Sequence, residues 1–343
     1  MAWTTRAHTD EEINAAGRVL IARGSKPDEV MRAIGIVNNW RAAHAFPLNT
    51  MQMRLRGKAS QVDRRGPSVA QRIKRLPAIE SKLRRLKNVT LADMQDIAGC
   101  RAVVGTKAQV AKLNKVYQSG RIRHELEREN NYVDAPTPDG YRSLHLVYRY
   151  YSDHNLQYSG QRIEIQIRSR LQHAWATAVE AIDTFASQQL KINQATPEWA
   201  RFFALAGSCI AVRERTPLVP GTPASETELT AELRELAHSL NVEERLLAIG
   251  ATAHYIGSQT DEAFYYLIDL DIVNRKLSIS RFTRAQAEQA AIRLAELELQ
   301  YRGRPDRDVL LASASSVKEL RKMYPNYRAD TGVFLRELRR ALG

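Results

Sequence analysis

The run 161–168, Gln-Arg-Ile-Glu-Ile-Gln-Ile-Arg, constrains the fold more than any other stretch of this chain. Its apolar residues alternate strictly. Ile163, Ile165 and Ile167 lie on one side, and Arg162, Glu164, Gln166 and Arg168 on the other. Period-two alternation is the pattern of a half-buried strand, so the isoleucines face a core and the opposite face presents one carboxylate between two arginines. Ser169 can cap a helix. Beyond it Leu171, Trp175, Ala178, Ile182 and Phe185 recur at helical spacing, with His173, Thr177 and Glu180 opposite. A strand carrying Glu164 therefore runs directly into an amphipathic helix.

Upstream, residues 8–64 read as helices. Ala15, Val19 and Leu20 begin one periodic stretch, Met31, Ile34, Val37 and Trp40 continue another, and Pro47 breaks the pattern. From Arg54 to Lys87 there are twelve Lys or Arg against two acids, Asp63 and Glu80. Such a run is either a solvated face or a phosphate site. The setting changes halfway: 71–76 reads as a strand with Arg72 and Lys74 on one face, and Pro77 opens a helix containing Lys82 and Arg85. Cations from a strand and the next helix can converge on a phosphate chain.

Thr90 reads as the N-cap of a helix over 91–97, with Gly99 to stop it. A short apolar strand, 100–104, is interrupted only by Arg101, which at such a position needs a partner or a site. Asp96, just upstream, either pairs with Arg101 structurally or serves chemistry. A helix (107–117), a strand (121–126) and a turn-rich loop (130–140) follow. A strand over 141–148 then puts Tyr141, Ser143 and His145 on one face. Tyr141 is either an ordinary surface tyrosine or a platform for a base.

Residues 197–214 read as a further helix. Three prolines and a glycine within 216–223 mark a boundary. Beyond it Ser225 with Glu228 forms a capping-box pattern before a long helical segment. Strands at 264–270, 276–280 and 308–312 follow, with a helix opened by Thr283 and Gln286 between the last two. Two short helices flank Tyr324-Pro-Asn-Tyr327. The fold class expected is α+β: a mixed sheet flanked by helices, with a smaller C-terminal α+β domain. The divisions expected are a catalytic domain over 1–215, a linker over 216–224 and a C-terminal domain over 225–343.

A chain of 343 residues can hold two domains. Its formal charge of +13 points to a polyanionic partner: nucleic acid, nucleotide or membrane surface. Cys100 and Cys209 offer neither a disulfide framework nor zinc spacing, so a reducing cytoplasm is the compartment expected. No apolar run is long enough to span a membrane, and the N-terminus lacks a signal peptide's apolar stretch.

Four segments in order resemble the synthetase domain of the RelA/SpoT family: RIKRLPAIESKLRR from Arg72, MQDIAGCRAVV from Met94, DGYRSLHL from Asp139 and RIEIQIRSRLQHAWATAVE from Arg162. The resemblance implies transfer of pyrophosphate from ATP to a ribose 3′-hydroxyl, with release of AMP. It implies Mg²⁺ as cofactor, held by Asp96 and Glu164, with Glu164 also assisting removal of the hydroxyl proton. It assigns Arg72, Lys74, Lys82 and Arg101 to ATP, and Tyr141, His145 and Gln166 to the acceptor. Many alarmone synthetases carry a Pro-Lys pair in the loop before the GYxSLH motif. Here Pro136 is followed by Thr137, which turns the expectation away from free GDP or GTP. The family's hydrolase domain is not expected, since the chain has no His-Asp dipeptide.

The stretch NNWRAAHAFPLNTMQMRL from Asn38, and KMYPNY followed by Asp330 and Thr331, further resemble a toxic branch of small alarmone synthetases, the fused toxin–antitoxin CapRel type. That resemblance implies tRNA as partner, modified at its 3′ CCA end so that translation stops, and a role in anti-phage defence. It also implies a C-terminal domain that restrains the enzyme until a trigger, a phage protein, binds it. Tyr324 and Tyr327 either close the small domain's core or lie as a brake in the adenine pocket beside Arg72 and Arg101. Two other readings stand beside this one: an alarmone synthetase acting on GDP, GTP or an adenosine nucleotide, and a non-catalytic RNA-binding sensor.

Overall fold

The computed structural model describes residues 3–86, 88–119, 123–189, 197–258, 264–271, 274, 276–301, 304, 306–313 and 327–343. Contacts divide it into two compact units. One comprises Met1–Val133 and Ser143–Arg170, the other Asp134–Arg142 and Leu171–Gly343.

The first unit begins with three helices, α1 (Asp10–Ile21), α2 (Pro27–Ala43) and α3 (Ala45–Val62). Then come β1 (Ser68–Ile73), α4 (Leu76–Arg85), β2 (Ala98–Val104), α5 (Lys107–Gln118), β3 (Glu125–Asn131), β4 (Leu144–Arg149) and β5 (Arg162–Ser169). The five strands form one mixed sheet in the order β1-β2-β5-β4-β3. Only β2 and β5 run parallel; the other pairs are antiparallel. The mixed sheet flanked by helices is the fold class expected.

The alternation in β5 does what its chemistry requires. Ile163, Ile165 and Ile167 are fully buried. They share a core with Cys100, Ala102 and Val104 of β2, Leu144, Leu146 and Tyr148 of β4, Met51 and Leu55 of α3, and Val110 and Leu113 of α5. A second core joins α1, α2 and α4 to residues 91–97 through Ile13, Val37, Trp40, Ile79, Leu91 and Met94.

Several local expectations differ from what is found. Residues 91–97 are turns, not a helix. The Thr90 hydroxyl donates to the Asp93 carboxylate at 2.7 Å, and the Asn14 side chain takes the Ala92 N–H at 2.8 Å. These side chains meet N-terminal groups that a helix would also leave open, and the segment is fixed instead by packing of Leu91 and Met94 into the core of α1, α2 and α4. Gly99 stops no helix; it lies within β2. Pro47 sits in the first turn of α3, where a missing N–H costs little, and the chain breaks at His44 instead. Strand β1 ends at Ile73, leaving Lys74 just past it with its N–H bonded to Ile97 O at 2.7 Å. The third strand starts at Glu125, with 120–122 outside the described residues.

The second unit holds the loop 134–142 and α6 (Arg170–Gln189), α7 (Pro197–Glu214), α8 (Glu226–Ser239) and α9 (Val242–Ser258). A three-stranded antiparallel sheet follows, ordered β7-β6-β8, from β6 (Tyr265–Asp271), β7 (Lys276–Phe282) and β8 (Arg307–Ser313). Helix α10 (Ala287–Gln300) packs on one face of it through Ala290, Leu294 and Leu297. The other face contributes Tyr266 and Ile268 to a large core with Phe202, Phe203, Leu229, Leu233 and Phe334. Phe334 belongs to the last helix, α11 (Tyr327–Leu342). Ser225 caps α8, and Thr283 with Gln286 forms the capping box before α10, as expected. The proline-rich stretch 216–224 lies inside this unit, and α6 and α7 share a core with helices beyond it. None of the described helices is long and apolar enough to cross a membrane.

The central position of β5 sets a test. Ile165→Ala should cost about 2–5 kcal/mol of stability in chemical denaturation. Leu156→Ala, at a site 80% exposed, should stay within about 0.5 kcal/mol of the parent. Equal midpoints for the two variants would contradict this core.

Candidate active site

Strand register brings Glu164, Gln166, His145, Arg101 and Arg72 onto the sheet face opposite the isoleucines. Glu164 on β5 pairs with Gly99 of β2 and Val147 of β4, and Gln166 with Arg101 and His145. Gly99 also pairs with Arg72 of β1. The close approach explains the glycine: a Cβ there would stand 3.2 Å from Glu164 O and 3.7 Å from its carboxylate. Glycine in a strand often marks such an approach.

Glu164 is nearly buried, and both its oxygens are held. His145 Nδ1 lies 3.0 Å from Oε1. The Gln166 amide donates to Oε2 at 2.7 Å. The Tyr132 ring stands edge-on to the His145 ring at 5.2 Å. Burial pushes Glu164 up, but His145 and then Gln166 outweigh it, leaving the carboxyl below its ordinary value. The Asp96 charge acts in the opposite sense, so the two carboxylates feel each other. The arginines of β5 turn elsewhere. Arg162 donates to Glu127, which Arg149 also bonds, and Arg168 donates to the Gln166 side-chain oxygen at 3.1 Å. His145 and Gln166, expected at the acceptor, are thus the immediate neighbours of the carboxylate.

Asp96 precedes β2 and is held by two cations. Lys74 Nζ lies 2.9 Å from Oδ2 and Lys82 Nζ 2.8 Å from Oδ1. Burial raises the Asp96 pKa, and Lys74, followed by Lys82, brings it below the ordinary value. Arg72 is exposed on β1, and Arg101 is half-buried on β2. Two carboxylates offering only oxygen suit a hard cation such as Mg²⁺, which keeps several waters. Among the described residues no group of three or more His, Cys, Asp or Glu could hold a metal ion, so water would complete most of that shell.

Tyr141 is not on β4. That strand starts at Leu144, and Tyr141 belongs to the second unit, packed against its large core. The reason is local. Gly140 has φ +96°, and a Cβ there would lie 2.9 Å from Phe203 O and 3.0 Å from the Trp175 ring. Arg142 is buried and donates to Pro217 O at 2.6 Å. Thr137 bonds Asp139 within the loop. Tyr327 opens α11, and nothing of its side chain is described; Tyr324 lies outside the described residues.

Sequence reasoning missed two contributors. Gly99, read as a helix stop, could have been found as a glycine bordering an apolar strand, whereas Tyr132 carried no signal beyond its loop.

Residues 71–188 match the region found in RelA / SpoT proteins. That stretch is similar to RelA/SpoT-type synthetases. No curated protein matches it. Three solved structures resemble it at low level. A GTP pyrophosphokinase family protein from Streptococcus pneumoniae is 22% identical, with TM-score 0.43, covering 52% of this chain and 89% of that one. Small alarmone synthetase 2 from Bacillus subtilis is 20% identical, with TM-score 0.45 and coverages of 52% and 94%. Small alarmone synthetase 1 from the same organism is also 20% identical, with TM-score 0.45 and coverages of 58% and 97%.

The Asp96 site has a pH signature. A carboxyl depressed in the folded state stabilises the fold above its unfolded pKa, ordinarily 3.8, and that contribution disappears as pH falls through the lower folded value. Asp96→Asn should therefore be less stable than the parent at pH 7, by on the order of 1–3 kcal/mol for a lost charge-assisted pair. The difference should shrink towards zero in acid unfolding below pH 3.8. A gap that persists unchanged in acid would contradict the ion pairing.

Proposed function

We propose that this protein is an Mg²⁺-dependent pyrophosphotransferase that moves the β,γ-pyrophosphate of ATP to a ribose 3′-hydroxyl at the CCA end of tRNA. The observation that carries the reading is a pair of held carboxylates: Glu164 on the sheet between His145 and Gln166, and Asp96 at the sheet's end between Lys74 and Lys82. Transfer at phosphorus depends mostly on position and charge neutralisation. The acceptor oxygen bonds to the β-phosphorus, the bridge to the α-phosphate breaks, and AMP leaves. Glu164, ionised at neutral pH and fixed by His145 and Gln166, takes the hydroxyl proton. Lys74, Lys82, Arg72 and Arg101 hold the phosphate chain. A magnesium ion held by Asp96 and Glu164 would supply further neutralisation of phosphate charge.

Two observations support tRNA as acceptor. Thr137 replaces the lysine of alarmone synthetases and is engaged within its own loop. The charge of +13 suits a long polyanion. Tyr141 is the residue we assign to stacking on the terminal base. The second reading, alarmone synthesis from GDP or GTP, is favoured by the family match over 71–188. We further propose a catalytic domain over 1–215 and a regulatory domain over 225–343, with Tyr324 and Tyr327 as the brake and a phage protein as trigger in the cytoplasm.

Incubation with γ-labelled ATP and Mg²⁺, offering total tRNA or GDP, separates these readings. Label on RNA supports the first, labelled guanosine nucleotide the second, and no product the sensor. Glu164→Gln should abolish transfer while leaving the circular dichroism spectrum unchanged; full activity would remove Glu164 from the chemistry. Tyr141→Ala should lower transfer by the equivalent of about 1–3 kcal/mol of stacking, with little change in ATP binding. Double substitution of Tyr324 and Tyr327 by alanine should raise basal transfer and cellular toxicity. A stable variant with unchanged activity would argue against a brake.

A further inference from the structure

Both oxygens of Asp96 are taken by side chains that the nucleotide itself is expected to use. Lys74 reaches Oδ2 from the end of β1, and Lys82 reaches Oδ1 from α4, at 2.9 and 2.8 Å. Oxygens bonded in this way still have lone pairs, so geometry alone does not bar a metal ion. Charge does. A divalent cation seeking Asp96 meets two ammonium groups already about 3 Å from the atoms it must contact, and like charges at that range repel strongly. Glu164 differs, because one of its partners, the Gln166 amide, is neutral.

Both lysines are partly solvent-exposed, at 15% and 23% of their side chains. A lysine carries its charge on a flexible four-carbon stem and can change partner with little displacement of its backbone. The Lys74 backbone is itself fixed by its bond to Ile97 O.

We propose that Lys74 and Lys82 gate Asp96. Without nucleotide they close its carboxylate to a divalent cation; a triphosphate opens it by drawing both ammonium groups onto its own oxygens. This rests on the ATP reading above and adds an order to it: cation and nucleotide enter together, each improving the site for the other. Linkage makes that improvement reciprocal. The free protein then holds its own charges neutralised, and the metal site exists only when there is a phosphate chain to act on.

The test uses the full chain, Mn²⁺ followed by electron paramagnetic resonance, and α,β-methylene-ATP as a non-reacting nucleotide. In the nucleotide-free protein, Lys82→Gln should tighten Mn²⁺ binding by about tenfold, within the usual range for coupled sites, and should weaken binding of the analogue. Lys74→Gln should act in the same two directions. Adding Asp96→Asn to either should cancel the gain in Mn²⁺ affinity. Opposite effects of one substitution on the two ligands follow from the gate, and the Mn²⁺ gain should vanish once the analogue is bound; a lysine that stayed on Asp96 would repel Mn²⁺ with or without nucleotide, so an equal gain in both states overturns the gate. Melting temperatures check that each variant is folded, and the two lysines serve as independent tests. If the parent binds the analogue but neither lysine substitution tightens Mn²⁺, the gate is overturned and the ATP reading stands. If the parent binds no analogue at any Mn²⁺ concentration, the ATP reading fails and the gate fails with it.

Discussion

An ionised carboxylate held almost out of water is the constraint from which the first unit can be understood. Removing such a group from solvent is unfavourable unless donors replace the lost hydration. Glu164 obtains them from His145 on β4 and Gln166 on its own strand, and that requires β4 and β5 to pair in this register. A slip of one residue would turn Glu164 into the isoleucine core and the isoleucines into the site. The buried row of Ile163, Ile165 and Ile167 prevents this. Apolar packing on one face of β5 thus fixes the chemistry on the other.

Other parts follow from the same demand for close approach. Gly99 leaves room for Glu164 where β2 runs beside it. In the second unit, Gly207 leaves room for Gly140: a Cβ on Gly207 would come within 3.1 Å of Gly140 O. The Trp175 indole donates to Phe203 O at 2.9 Å and holds the same corner. Tyr141 therefore belongs to a core that also receives Phe334 from α11. His173 on α6 reaches Asp330 on α11 at 3.3 Å. The loop bearing Tyr141 and the terminal helix are members of one packed body, and close-packed interiors transmit displacement rather than absorb it.

How much of this was legible follows from where the determining contacts lie. Strand β5, helices α5 and α7, and the caps at Ser225 and Thr283 depend on near neighbours in sequence, and they were read correctly. Residues 91–97 carry a helix's cap and stop signals, yet they form turns whose Leu91 and Met94 pack against distant α1, α2 and α4. Tyr141, Ser143 and His145 alternate like a strand, yet Arg142 is drawn to Pro217. Asp96 and Glu164 could be recognised as a pair only through resemblance, since 68 positions separate them. Arg162 and Arg168 flank Glu164 in sequence, but strand geometry sends them to Glu127 and Gln166.

The two carboxylates are supported in different ways, and the difference bears on what each can do. Glu164 is held by short side chains on paired strands, a setting with little freedom to move. A group that must accept a proton at one point in space benefits from that fixity. Asp96 lies outside the strands and is matched by full charges on long stems. Its surroundings can be exchanged while the sheet stays as it is. A site built this way has a fixed half, where the bond-making geometry is set, and an adaptable half, where a highly charged substrate can be received. The adaptable half must also remain tolerable when empty. Two lysines and a carboxylate meet that need, because together they carry a smaller net charge than the cations would carry alone.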